Sequence, residues 1–197
     1  MSAPPSGLAH VKGQLLIARF DYLRETHDTN VVAQVLDSLA AADRDQVLGL
    51  ARGRWYPFAL LMRLDHTLAH VLAGDDLAFF EELGRASARH RTEWLGEHAA
   101  LVNVHAFLSR MAEEHRSFHD FGRAVYRRTG FHSSDMTFSE YPELDQAFCL
   151  SSRGYLMGVL ELLTGRPGEV NEKACQCAGD SACVFHLDWR RANEQEE

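Results

Sequence analysis

All four cysteines of this 197-residue chain fall in its last quarter: Cys149 alone, then Cys175, Cys177 and Cys183 within nine residues around Gly179-Asp180. Such clustering restricts the local chain to a tight reversal that gathers thiols. In a reducing compartment, thiols at this spacing point to a bound metal before they point to disulfides. Zinc takes thiolate, imidazole and carboxylate ligands in a tetrahedral shell with metal–sulfur distances near ~2.3 Å, so its ligands must converge. A hairpin turning at Gly179-Asp180 would bring three thiols together, with Cys149 supplied by a helix across the core. Strand parity sharpens the requirement. A two-residue loop pairs Cys183 with Gln176, whereas a three-residue loop, Gly179 to Ser181, pairs it with Cys177 and puts all three thiols on one face. Glu172, three residues before Cys175, points to the other face of a regular strand and can join only where the strand is irregular. Two other readings stay open: buried thiols packed as small hydrophobes, and a Cys177–Cys183 cross-strand disulfide.

The first half of the chain has helical periodicity. Leu15, Leu16, Phe20 and Leu23, then Val31, Val35, Leu36 and Leu39, recur at helical spacing, and Asp28-Thr29-Asn30 supplies N-cap residues between two helices. A short helix follows Asp43. Trp55-Tyr56-Pro57-Phe58 opens another, with Pro57 in its first turn, and Gly74 stops it. Asp75-Asp76 begins the next. After a helix near residues 100–114 the pattern changes: 118–128 and 134–140 read as two strands of a meander, 145–164 as a helix ended by Gly165 and Pro167, and 168–189 as a final hairpin. The expectation is one α+β domain, residues 11–190, with an N-terminal helical layer packed on a small antiparallel sheet and one further helix. Residues 1–10 are expected as a disordered leader and 191–197 as a disordered tail.

Composition narrows the function classes. Hydrophobic residues make up 46% and the net charge is −8, which suits a globular protein and weighs against a nucleic-acid binder. No run approaches the ~20 apolar residues of a membrane span. The first residues lack the features of a signal peptide, so a cytoplasmic location is expected. There is no phosphate loop, no GxSxG elbow and no kinase or deaminase signature. His66 and His70 share a helix face opposite the leucine stripe and read as solvated; no glutamate follows His66 to make a zinc-protease motif. His115, His119 and His132 read as structural. Trp55, Phe58, Phe107, Phe121, Tyr126, Phe138, Phe148 and Tyr155 either fill a core or line an apolar ligand pocket, and His105 is a further candidate for it.

The run Cys149, Glu172-x-x-Cys175, Gly179-Asp180-x-x-Cys183-x-Phe185 resembles the signature of vinyl-reductase-like domains and the zinc site of related phenol-sensing domains. That resemblance implies structural zinc on Cys149, Glu172, Cys175 and Cys183 beside a buried aromatic-ligand pocket, with Cys177 outside the pattern. Lys12-Gly13, Trp55-Tyr56-Pro57-Phe58, Arg63-Leu64-Asp65 and Phe79-Phe80-Glu81-Glu82-Leu83-Gly84 are similar to a myxobacterial paralogous family of unknown function. The implied fold is shared with haem–nitric-oxide-binding domains. The segment Asn103-Val104-His105-Ala106-Phe107-Leu108 resembles the one carrying the proximal haem histidine there, but the Tyr-x-Ser-x-Arg motif for the haem propionates is absent. Haem is therefore not expected. The resulting expectation is a non-enzymatic sensor or binding domain with structural zinc and a small hydrophobic or aromatic ligand, signalling through a homodimer or an unidentified protein partner. The alternatives are a packed interaction or scaffold module without ligand, a haem-based gas sensor, and an enzyme acting on a tetrapyrrole.

Overall fold

The structure, a computed structural model, describes residues 9–92, 103–142 and 145–190. Seven helices and six strands are found among them. Strand β1 (His10–Lys12) leads into α1 (Gly13–Thr26), α2 (Thr29–Ser38) and α3 (Ala41–Leu48). Strand β2 (Trp55–Pro57) precedes α4 (Phe58–Ala73), α5 (Ala78–Thr92) and α6 (Val104–Glu113). Strands β3 (Arg123–Arg128) and β4 (Ser133–Ser139), helix α7 (Gln146–Thr164), and strands β5 (Glu169–Ala174) and β6 (Ala182–Asp188) complete the chain. The α+β expectation holds. The expected leader and tail lie outside the described residues except at Ala9 and His10, and His10 pairs in β1.

Local chemistry sets the helix ends. The Asp28 carboxylate accepts the amides of Asn30 and Val31 at the start of α2, and the Asp145 carboxylate accepts that of Phe148 at the start of α7. Helices α4 and α7 end at Gly74 and Gly165, both left-handed at φ 57° and 71°, where a Cβ would be strained. Pro57 closes β2 and caps α4 from outside instead of sitting in its first turn.

The sheet runs β3-β4-β6-β5, antiparallel throughout, so the meander and the final hairpin join through β4 and β6. Cys183, Phe185 and Leu187 alternate inward along β6. They meet Met136 of β4, Val170 of β5 and the apolar face of α7 in one core. A second core lies among α1, α2, α4 and the first turns of α5.

The expected strand over 118–128 is shorter. Gly122, at φ 66°, breaks it, and the segment before it turns to β1: the Lys12 amide donates to the Phe118 carbonyl (2.9 Å) and the Asp120 amide to the His10 carbonyl (3.1 Å). Strand β1 is thus held by β2 on one side and by residues 118–120 on the other.

Helices α5 and α7 join the two cores by direct backbone contact. A Cβ on Gly84 would stand 2.0 Å from the Ser151 carbonyl oxygen, and one on Gly154 would stand 2.0 Å from that of Glu81. The two glycines are reciprocal, each admitting the other helix's backbone. Alanine is the better helix former by about 1 kcal/mol, but an atom inserted at 2.0 Å forces the helices apart. Gly154→Ala is therefore expected to destabilise the protein by about 1–3 kcal/mol or more, measured as a fall in the denaturant midpoint. Gly53→Ala, whose Cβ meets nothing within 4 Å, serves as the control and leaves the midpoint nearly unchanged.

Candidate thiol centre and adjoining cavity

Cys149 lies in the first turns of α7 with its side chain toward the sheet, and Cys183 lies on the inward face of β6; both are buried. Between β5 and β6 the chain makes a single 3₁₀ turn, Gln176–Ala178, flanked by Cys175 and by Gly179 at φ 99°. The reversal spans residues 175–181, longer than the three-residue loop that parity demanded. The pairing of β5 with β6 shifts between Glu172 and Ala174, a bulge at Lys173. That is the irregularity Glu172 needed. One ligand atom from each of Cys149, Glu172, Cys175 and Cys183 falls within 4.8 Å of the others.

The turn aims amides at sulfur. The Gln176 N–H donates to the Cys183 Sγ at 3.3 Å, and the Cys177 and Ala178 amides favour the Cys175 thiolate. The Cys175 amide itself donates to the Asp180 carboxylate at 2.8 Å, which pins the turn. The thiols also interact with one another. Cys149, whose thiol donates to Cys183, is held protonated by that bond and by burial. Receiving that bond, together with the Gln176 amide, brings Cys183 down to about 6, while burial pushes Cys175 up to about 11. Three thiols and a carboxylate of this kind, with backbone donors to stabilise thiolate charge, fit a closed zinc site.

A cavity of about 180 Å³ adjoins this cluster, bounded by α1, α5, α7, the 114–119 segment and the sheet. Phe138, Phe148 and Tyr155 line it, as the sequence suggested. The other expected pocket residues lie elsewhere. Phe58 and Phe121 pack behind the wall, with ring centroids 4.8 Å apart, and Trp55 lies under the Lys12 ammonium. Phe107 packs against the second core, and Tyr126 pairs with His105.

The polar lining was not foreseen. Arg19 of α1 makes two 2.7 Å bonds to the Asp65 carboxylate of α4 and also donates to Ser87 of α5 and Ser151 of α7. This buried, fully hydrogen-bonded pair links four helices at the cavity wall; an arginine left unpaired there would cost about 3–5 kcal/mol. No local spacing announces partners 46 and 132 residues apart. His115 and His119, read as structural, also face the cavity, their rings stacked at 4.4 Å and 9°. The His115 Nε2 is bonded to the Tyr141 hydroxyl at 2.6 Å, and its Nδ1 has no hydrogen-bond partner among the described residues. Desolvation holds this imidazole neutral, its pKa lowered to about 4.

Residues 133–188, β4 through β6, match the vinyl-reductase domain. No curated protein matches the chain. Several H-NOX structures match nearly all of it. An H-NOX protein from S. oneidensis in the Fe(II)NO state has a TM-score of 0.71 at 13% identity, covering 91% of this chain and 99% of that one. An oxygen-binding H-NOX domain related to soluble guanylate cyclases, in its oxygen complex, has a TM-score of 0.65 at 16% identity, covering 94% and 98%. An unliganded Fe(II) mutant of the K. algicida H-NOX protein has 0.66 at 11%, covering 92% and 98%. At such identities the likeness establishes the fold. The chain has the H-NOX architecture, with a vinyl-reductase match over its last strands and helix.

Haem is named with some of these structures, so the fit of this chain's residues to haem matters. His105 does not fit as an iron ligand. Its Nε2 donates to the Phe131 carbonyl at 2.7 Å, its Nδ1 is engaged by the Tyr126 hydroxyl, and it does not line the cavity. A cavity of 180 Å³ also lies below the roughly 300–1,000 Å³ of sites for drug-sized ligands.

His115 gives a pH signature. Its folded pKa of about 4 lies below the ordinary ~6.5 of an unfolded histidine. Between these values the unfolded chain binds the extra proton, so stability falls as pH drops through this window, by up to about 1.4 kcal/mol per pH unit. Replacing His115 with phenylalanine is expected to flatten that slope by up to one proton in unfolding measured from about pH 6.5 to about pH 4.

Proposed function

We propose that the chain is a non-enzymatic sensor or binding domain enclosing a single-ring, largely apolar molecule that carries one hydrogen-bonding group. The observation that carries this reading is the His115 Nδ1: a buried ring nitrogen without a protein partner among the described residues, on an apolar cavity of about 180 Å³. A buried polar atom left unpaired costs about 1–3 kcal/mol, and a dry cavity of about 150 Å³ is enough to bind benzene. A phenol-like ligand would satisfy both conditions, its ring against Phe138 and Phe148 and its hydroxyl on His115. The fold of H-NOX proteins and the vinyl-reductase match support a ligand-binding role.

Cys149, Glu172, Cys175 and Cys183 would hold a structural zinc ion that fastens the final hairpin to α7. No helix among the described residues is long and apolar enough to cross a membrane. The reading includes a cytoplasmic location and an output through a second copy or a protein partner.

Two measurements test it. Elemental analysis is expected to give about one zinc per chain, lost in Cys175→Ser together with thermal stability; native stability in metal-free protein would remove the staple. Thermal unfolding with phenol, benzene and cyclohexanol is expected to show stabilisation of about 2.7 kcal/mol at about a hundred times Kd, with phenol ahead of benzene and that advantage lost in His115→Phe. The absence of any shift, with a stoichiometric Soret band on adding haem, would instead establish the haem reading that the fold favours. No shift and no band would leave a packed interaction module.

A further inference from the structure

Cys177 belongs to neither the vinyl-reductase-like pattern nor the four-residue donor set, yet its Sγ lies 3.6 Å from that of Cys149. Cys175 and Cys183 stand at the same 3.6 Å from Cys149. In a tetrahedral shell with metal–sulfur distances of ~2.3 Å, neighbouring sulfurs are about 3.75 Å apart. Cys149 therefore sees three sulfurs, each at the separation of a tetrahedral edge, and Cys177 is one of them. The donors divide by burial. Cys149 and Cys183 are buried and Cys175 is half-buried, whereas Glu172 and Cys177 are both exposed. Three positions of a shell are thus fixed by the core, and two exposed anionic donors compete for the fourth. The 3₁₀ turn that carries Cys177 rests on the Ala178 and Gly179 amides, bonded to the Cys175 and Gln176 carbonyls at 2.9 and 3.1 Å. Neither bond uses the Cys177 side chain.

We propose that Cys177 is a metal ligand that exchanges with Glu172, so that the centre holds its cation in a three-thiolate, one-carboxylate shell or in a four-thiolate shell. In the exchange the metal–oxygen bond to Glu172 breaks, a metal–sulfur bond to Cys177 forms, and the thiol proton leaves to solvent. The metal keeps its charge and oxidation state. Carboxylate suits a harder ion and thiolate a softer one, so the four-thiolate shell is selected by thiophilic cations such as Cd²⁺. The inference rests on the metal reading above and adds a ligand to it.

The full chain loaded with Cd²⁺ and with Co²⁺ tests this, by ¹¹³Cd resonance position and by thiolate-to-cobalt charge-transfer absorbance per bound ion. The wild type is expected to give a four-sulfur cadmium resonance. Cys177→Ser should move it to the three-sulfur, one-oxygen region and lower the cobalt band by about a quarter, with one ion still bound. Glu172→Gln should keep its ion and the full cobalt band. The double variant should lose far more affinity than the single variants together, more than about a hundredfold, because each donor covers for the other. A Cys177→Ser spectrum identical to the wild type, with loss of the ion in Glu172→Gln, would overturn the exchange while leaving the zinc reading intact. Failure of the wild type to bind either metal would overturn both.

Discussion

The close crossing of α5 and α7 is the contact on which the rest of the molecule depends. Gly84 and Gly154 let the two backbones meet with no side chain between them, and Gly158 faces Ala88 one turn further on. Because α7 lies that close, Ser151 comes within reach of the Arg19 guanidinium, and one ion pair can join α1, α4, α5 and α7. The same placement sets Phe148 and Tyr155 on the cavity and Cys149 over the sheet. Residues of α5 and α7 occur in both cores, so this crossing is also what unites them. Larger residues at the crossing would separate the helices, and the ion pair, the cavity wall and the buried thiol would all shift together.

The ion pair gives this arrangement specificity more than stability. Burying a charged pair costs desolvation that its attraction only partly offsets. Here every donor used is aimed: the Arg19 Nε and Nη2 at Asp65, and further guanidinium donors at Ser87 and Ser151. A guanidinium is planar, so four helices must agree in position for all of these bonds to form. An apolar side chain at position 19 could fill similar volume without imposing that agreement.

What could be read from the sequence follows the range of the forces involved. Asp28, Asp145, Gly74 and Gly165 act within a turn of themselves, and the helix ends they mark are where the sequence places them. The thiol cluster was legible because its spacing is local and its chemistry demanding; even the irregular strand that Glu172 requires is present as a bulge. The three-residue pair β1–β2 and the docking of residues 118–120 on β1 carry too few residues for a periodic signal. Arg19–Asp65 and the cavity histidines depend on tertiary placement alone. Gly154 and Gly158 did leave a trace, since small residues four apart share a helix face. Spacing alone could not say which helix would meet that face.

The cavity and the thiol centre are joined at two points, and this links binding to structure. Along α7, Phe148 lines the cavity and the next residue, Cys149, enters the thiol cluster. Across the sheet, Phe138 lines the cavity while Cys183, its register partner on β6, is a thiol of the cluster. Tyr141 completes the connection: it bonds His115 within the cavity wall, and burial together with charge on Cys183 holds its hydroxyl protonated. Two aromatic wall residues are therefore fixed by the same backbone that fixes two sulfurs. Packed interiors do not stretch to absorb such displacements. A shell that moves Cys149 or Cys183 must move Phe148 or Phe138, and a ligand that displaces those rings must act on the sulfurs beside them.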